Sequence, residues 1–419
     1  MKRLRTTAGG GSGWSALPGD LLEQISGYLS TDADHLHIHQ VCAPWRACTP
    51  SPSAFRPWIL ARWTARSPPP APSSCNYSVW LPRRHLQREV GIGAPPAGVP
   101  YCCGASRGWL ALTDNASSPT RLVLWDPASG AEVHLPPLPG VIQVFLSADP
   151  LASPDWMAVA SQRYGNMGAQ KPFFCRPGDA AWSVLCDRPT AGVDRVAFHG
   201  GRIYYMDWMH VLVVCDLNRG PAPHVQIRNI SGHISRLCSC DRYHGIRRAH
   251  MVSCAGDLLL VVLRNDSGHP SFAEIYKLES PPERGPPLEL GDRVTDLGNH
   301  SLFLARGENF ALSAKEFPAI RRNHIYGLEF DGNYSRNYDH AWPDWAFVFD
   351  LGSGTLKKIP YPGEFRDEGS NWQPLFWLCL RSQFMRKQQN ALSRNEDPAT
   401  LSSAAGVEVF RDGIQSIIC

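Results

Sequence analysis

The chain has 419 residues, 43% apolar and 19% charged, with 41 basic residues against 38 acidic ones. This length and composition specify a folded protein with a substantial core and exclude a disordered chain, and a net charge of +3 is too balanced for a polyanion binder. The longest aliphatic run, Leu258–Leu263, falls far short of the ~18–20 residues of a membrane span, so no membrane partner is expected. Glycine and proline, 36 of each, and 14 Trp, 16 Phe and 12 Tyr favour short strands joined by turns. Residues 1–13 read as a basic, Gly-rich, disordered tail; no apolar stretch follows its basic residues, so no secretory signal is expected. The 13 cysteines, an odd and irregularly spaced set, fit reduced and mostly buried thiols.

Residues 14–60 read as three short helices. Pro18 suits a first helical turn, where its missing N–H costs nothing, and Asp20 and Glu23 suit the helix dipole there. Leu21, Leu22, Ile25 and Leu29 share one helical face. Gly27 and Ser30-Thr31-Asp32 end the helix and offer caps for the next, to which Leu36, Ile38, Val41, Cys42 and Trp45 contribute apolar contacts. A third helix is expected from Ser53 through Phe55, Trp58, Ile59 and Leu60. About 45 residues make a poor independent core, so an apolar face is left for a partner.

Leu17-Pro18-Gly19-Asp20-Leu21-Leu22, Ile25 and Leu29, followed by Asp34 and Val41-Cys42-Ala43-Pro44-Trp45-Arg46, resemble an F-box. The resemblance covers about 40 residues in order; His37 and His39 stand where the family often has arginines. It implies binding to a Skp-type adaptor and, through it, to a cullin–RING ubiquitin ligase. The residues it assigns to that interface, or to its immediate support, are Leu17, Pro18, Asp20, Leu21, Leu22, Ile25, Leu29, Val41, Cys42, Trp45 and Arg46.

Residues 61–75, with the run RSPPPAPSS, read as a Pro-rich linker that holds no helix. Over 76–380 a weak repeat appears. Leu122-Val-Leu-Trp-Asp126 closes four residues later at Gly130, Leu212-Val-Val-Cys-Asp216 at Gly220, and Phe347-Val-Phe-Asp350 at Gly354. Each reads as a strand, a turn and a returning strand, because Asp and Gly tolerate turn geometry. Poorer copies fit Phe173–Cys186 and Glu274–Leu290. The Asp-to-Asp gaps approximate multiples of ~45 residues, the length of a four-stranded propeller blade. The fold expected is mainly β: an N-terminal three-helix unit, then a β-propeller of about six blades, with 331–344 an insertion in the final one. Residues 381–419 read as a polar, poorly ordered tail.

Ser106-Arg107-Gly108-Trp109-Leu110, Leu135-Pro136-Pro137-Leu138-Pro139, Leu302-Phe303-Leu304, Asn309–Ala314 and Asn323-His324-Ile325-Tyr326 resemble the KIB-type β-propeller that follows F-boxes in land-plant proteins. That resemblance implies a plant source and names no substrate.

Motifs for bond chemistry are weak. Gly104-Ala105-Ser106-Arg107-Gly108 fits G-x-S-x-G, but Trp109-Leu110-Ala111-Leu112 reads as a strand where a nucleophile elbow needs a helix. Cys238, Cys240, His244, His250 and Cys254 cluster, yet Cys-x-Cys is a poor zinc knuckle. His35, His37 and His39 read as a solvated helix surface. Scattered basic pairs such as Arg247-Arg248 give no nucleic-acid stripe. No catalytic residue, metal or cofactor is expected. The function implied is substrate recognition in a Skp–cullin–F-box ligase, in the nucleus and/or cytoplasm. An unidentified protein target would bind on the 331–344 insertion, through Tyr334, Arg336, Tyr338 and Trp342 beside His340, since loop aromatics and arginine supply binding hot spots. Two other readings stay open: a non-degradative, inhibitory binding module, and a propeller that binds a small ligand.

Overall fold

Trp58, Ile59, Leu60 and Ala61 are each no more than 1% exposed, and they alternate between two cores. Trp58 and Leu60 pack with Leu110, Leu112 and Val123, whereas Ile59 and Ala61 pack with Phe303, Phe310 and Phe317. An apolar run buried on both faces with period two is a strand, β1 (Trp58–Trp63). This corrects the third helix expected through Leu60. It also moves the start of the β region ahead of the expected boundary at 76, and β1 runs through the expected linker boundary at 60/61. The computed structural model describes residues 17–29, 34, 37–38, 41–49, 57–63, 75, 77–82, 86–89, 95–164, 169–187, 195–206, 211–217, 223–229, 246–264, 272–278, 290–328, 345–361 and 372–379.

Twenty-six strands among the described residues form six sheets, the blades of a propeller. Blade 1 is β4 (Tyr101–Ser106), β5 (Trp109–Thr113), β6 (Leu122–Trp125) and β7 (Glu132–Leu135); blade 2 is β8 (Val141–Leu146), β9 (Ala158–Tyr164), β10 (Ala169–Cys175) and β11 (Ser183–Val184). Blade 3 is β12 (Arg195–His199), β13 (Arg202–Met206), β14 (Val211–Asp216) and β15 (His224–Asn229); blade 4 is β16 (Ile246–Cys254), β17 (Asp257–Arg264), β18 (Ala273–Leu278) and β19 (Leu290–Val294). Their first strands and that of blade 5 begin at Tyr101, Val141, Arg195, Ile246 and His300, 40 to 54 residues apart, close to the expected repeat.

All five expected repeats fall between the third and fourth strands of a blade or, in blade 5, between its last two. In blade 1, Asp126 Oδ1 accepts the Ala128 N–H at 2.9 Å, the Gly130 N–H reaches Asp126 O at 2.8 Å, and Gly130 has φ +73°. In blade 5, Asp350 Oδ1 accepts the Gly352 N–H at 2.9 Å, the Gly354 N–H reaches Asp350 O at 2.9 Å, and Gly354 has φ +67°. The side chain caps the turn and glycine supplies the left-handed closing residue.

Three blades depart from a simple meander, blade 3 by taking in a fifth strand, β21 (Gly307–Glu308), parallel to β12. Blade 5 runs β22 (Phe310–Ser313), β20 (His300–Leu304), β23 (His324–Leu328), β24 (Trp345–Asp350), β25 (Thr355–Pro360), with β20 and β23 parallel. Phe303 stacks on both Phe310 and Tyr326, with centroids 5.3 and 4.8 Å away, so an aromatic ladder crosses that irregular seam. Blade 6 joins the first and last strands among the described residues: β26 (Trp372–Leu378), β1, β2 (Tyr77–Pro82) and β3 (Leu86–Glu89). Its register runs from Trp58 opposite Leu378 to Trp63 opposite Trp372. The ring is therefore clasped by hydrogen bonds between strands some 310 residues apart in sequence.

Ahead of β1 lie α1 (Gly19–Gly27) and α2 (Ala43–Cys48), which pack together. Asp34, His37, Ile38 and Val41 are also helical, and Cys42, with φ −166°, breaks the expected second helix before α2. Residues 381–419 lie outside the described residues.

Candidate functional site

Among the described residues, four of the six exposed large apolar side chains lie in or beside the helical pair. Pro18 opens α1, its carbonyl accepting the Leu21 and Leu22 N–H groups at 3.1 and 3.2 Å. Ser26 Oγ donates to Glu23 O at 2.8 Å, and Tyr28 N–H returns to Ile25 O, closing the helix. Gly19 lies so close to α2 that a Cβ there would sit 3.2 Å from Cys48 Sγ. Leu22 is fully buried and Ile38 nearly so. Leu21, Ile25, Tyr28 and Val41 are 46%, 40%, 85% and 53% exposed; among the described residues only Leu151 and Val184 are comparable large apolar side chains. Leu21, Ile25 and Tyr28 fall at i, i+4 and i+7 and make one stripe.

The expected interface residues thus divide. Pro18, Asp20, Leu21, Ile25 and Val41 are exposed; Leu17, Leu29, Cys42, Trp45 and Arg46 are half-buried; Leu22 is internal support. Sequence reasoning missed Tyr28, although its spacing from Leu21 and Ile25 signals the same stripe. Tyr334, Arg336, Tyr338, His340 and Trp342 lie outside the described residues.

At the hub of the ring, Ser106 ends β4, and Arg107 (φ +52°) and Gly108 (φ +85°) turn the chain into β5, a hairpin without the helix of a nucleophile elbow. Ser106 Oγ donates to Glu308 Oε2 at 2.7 Å and accepts the Leu146 N–H at 3.0 Å. Of the cysteine–histidine cluster, His250 and Cys254 are buried on β16, and Cys238, Cys240 and His244 lie outside the described residues. Among the described residues no group of three or more His, Cys, Asp or Glu is placed to hold a metal. Burial pushes the Cys102 and Cys215 thiols up to about 12, so both stay protonated and serve as core.

The fold defines a class: a six-bladed β-propeller clasped by its own ends and preceded by a short helical pair with an exposed apolar stripe. The family model of the KIB1-4 β-propeller matches residues 72–350, and the chain belongs to that family. Two F-box proteins of Arabidopsis thaliana are each 23% identical to it, over 375 and 372 residues; the matches cover 83% and 82% of this chain and 90% and 92% of those proteins. A third Arabidopsis thaliana F-box protein is 34% identical over 79 residues, 17% of this chain and 24% of its own length. Among solved structures, TolB of Acinetobacter baumannii aligns with a TM-score of 0.34 at 10% identity, over 78% of this chain and 67% of that one. The expected resemblance to plant F-box proteins with a KIB-type propeller is thereby borne out.

Proposed function

We propose that this protein is the substrate-recognition subunit of a Skp–cullin–F-box ubiquitin ligase, acting in the nucleus and/or cytoplasm. The helical pair docks a Skp-type adaptor, and the propeller holds a protein target. The observation that carries this reading is the Leu21–Ile25–Tyr28 stripe with Val41, apolar yet open to solvent beside a buried Leu22. Large apolar residues gathered on one exposed face mark a protein interface. The chain supplies no bond chemistry of its own. It holds the target's lysines at high effective concentration near the ubiquitin-charged enzyme.

The tether supports that role. Only residues 49–57 separate α2 from β1. At about 3.3–3.6 Å per residue they span at most roughly 30 Å, so the target stays near the ligase. The test is capture of a purified Skp-type adaptor by the full chain and by Leu21→Asp/Ile25→Asp. Loss of capture with an unchanged melting temperature is expected. Undiminished capture by the folded double variant overturns the proposal.

A further inference from the structure

The segment between β20 and β22 does more than turn a hairpin. Gly307–Glu308 (β21) leaves blade 5 and pairs in parallel with β12 of blade 3, Gly307 opposite Arg195 and Glu308 opposite Val196. Asn309 Oδ1 accepts the Ala305 N–H at 3.0 Å and ties the neck of this strap. The Glu308 side chain, 8% exposed, reaches blade 1: it accepts Ser106 Oγ–H at 2.7 Å and the Arg107 N–H at 3.1 Å, with the Arg107 guanidinium 4.0 Å away. Arg107 binds the receiving side together. Its Nε donates to Leu146 O of blade 2 at 2.8 Å, and its guanidinium lies 5.3 Å from the ring centre of Phe198 in blade 3.

The near end of the strap grips the clasp. Trp377 of β26 donates its indole N–H to Leu304 O at 3.1 Å, and its ring meets Phe303 edge-on at 5.4 Å. Gly307 lies against Phe376 of β26 and Gln143 of β8, where a Cβ would approach to 2.8 and 2.9 Å. With φ +107°, this position admits only glycine without strain. One short strap therefore touches the C-terminal strand of blade 6 and is moored across the hub in blades 1 and 3.

We propose that Leu304–Asn309 is an internal latch on ring closure, holding β26 in the closing blade through the mooring of Glu308 at Ser106 and Arg107. The first and last strands of the ring meet in that blade, and opening there leaves β1, the strand that follows the helical pair, held by β2 alone. Without the latch β26 is held by β1 and its side-chain packing alone. Removing a buried charge-assisted anchor therefore shows first as local opening of β26 and β1, not as uniform loosening of the blades.

The experiment is amide hydrogen exchange, read by mass spectrometry, on the full chain and on Glu308→Ala. Exchange in 58–63 and 372–378 is expected to quicken roughly ten- to a hundredfold, while β17 of blade 4 changes little. Trp377→Phe, which deletes the grip at the other end, should give the same pattern, and the double variant should add little to either single one. Equal acceleration in all blades, unchanged exchange in β1 and β26, or additive effects would each overturn the latch. Should Glu308→Ala not fold, Glu308→Leu, of similar bulk but without an acceptor, carries the same measurement with the same outcomes.

Discussion

The helical pair and the propeller use apolar residues in opposite ways. In the ring Trp58, Trp80, Trp109 and Trp125 are each at most 2% exposed, packed between neighbouring blades. In the helices one leucine, Leu22, is sealed, while its neighbour Leu21 and the stripe beyond stand open. A propeller spends its apolar surface on its own closure. A helical pair of this size has too little apolar surface to cover its own stripe, which stays open to solvent. The boundary between the two regimes falls near residue 57, just before β1.

The severest way to break this contrast is to cut at the wrong boundary. A fragment starting at 57 keeps β1, and a fragment starting at 76 loses it. Because β1 lies between β26 and β2 and buries residues into two blade interfaces, the shorter fragment loses its clasp. The expected outcome is a cooperative, β-rich melt for 57–380 and aggregation for 76–380, read by circular dichroism and size-exclusion chromatography. Equal behaviour of the two fragments would put the boundary back at the Pro-rich run.

Next in size is a substitution inside the ring. Gly104 on β4 faces β8 so closely that a Cβ would lie 2.6 Å from Val144 O and 2.9 Å from Val144 N. Backbone cannot swing aside as a side chain can. Gly104→Ala should therefore cost about 3 kcal/mol by denaturant unfolding, at the upper end of ordinary overpacking. A change below about 1 kcal/mol would mean that inner strands of blades 1 and 2 can separate without penalty.

What the sequence disclosed follows the same division. Local chemistry was legible: the Asp-to-Gly turns at Asp126 and Asp350 are closed within four residues, and α1 follows from Pro18 and the Leu21–Leu29 spacing. Long-range chemistry was not. WILARW reads equally as helix or strand, and its partner β26 lies some 310 residues away. Nothing adjacent to Glu308 announces that it is bound by Ser106, 202 residues earlier. The parallel placement of β20 beside β23 is likewise set by contacts that no local pattern encodes. On α1 the spacing put Leu21, Leu22, Ile25 and Leu29 on one face, whereas Leu21 and Ile25 are exposed and Leu22 is buried, because adjacency in sequence does not say which neighbour turns inward.

That pair sharpens the comparison. Leu22→Ala empties a sealed position and should cost about 2–5 kcal/mol of helical-pair stability, whereas Leu21→Ala should stay within about 0.5 kcal/mol. Adaptor capture should respond in the reverse manner once folding is controlled for, with Leu21 the more sensitive in the folded protein. The helical circular-dichroism signal during thermal melting separates the two. Equal destabilisation would show that the α1 stripe is internal.

The smallest effect expected lies in a loop of the ring, where hydrogen bonds rather than packing hold the chain. Asp114 follows β5, and its carboxylate accepts the Thr120 hydroxyl together with the Thr120 and Arg121 N–H groups, the latter two at 2.9 and 3.0 Å. The Thr120 hydroxyl bond, then the Arg121 N–H, holds its pKa at about 2 against an ordinary 3.8. A carboxyl depressed in the folded state stabilises it fully above the unfolded value, and that contribution fades as pH falls through the folded one. The 114–121 loop should therefore stay ordered down to about pH 3 and loosen as pH approaches 2, where Asp114 becomes protonated. Asp114→Asn should make the loop insensitive to pH over that range, with little effect on the melting temperature at pH 7, because the carboxylate's hydrogen bonds lie near the surface, where water competes for them. Carboxyl chemical shifts followed by NMR from pH 5 to pH 2 decide it. A midpoint near 3.8 would mean that the Thr120 hydroxyl does not hold the carboxylate in solution, and that this loop, like the helical stripe, is open to exchange partners.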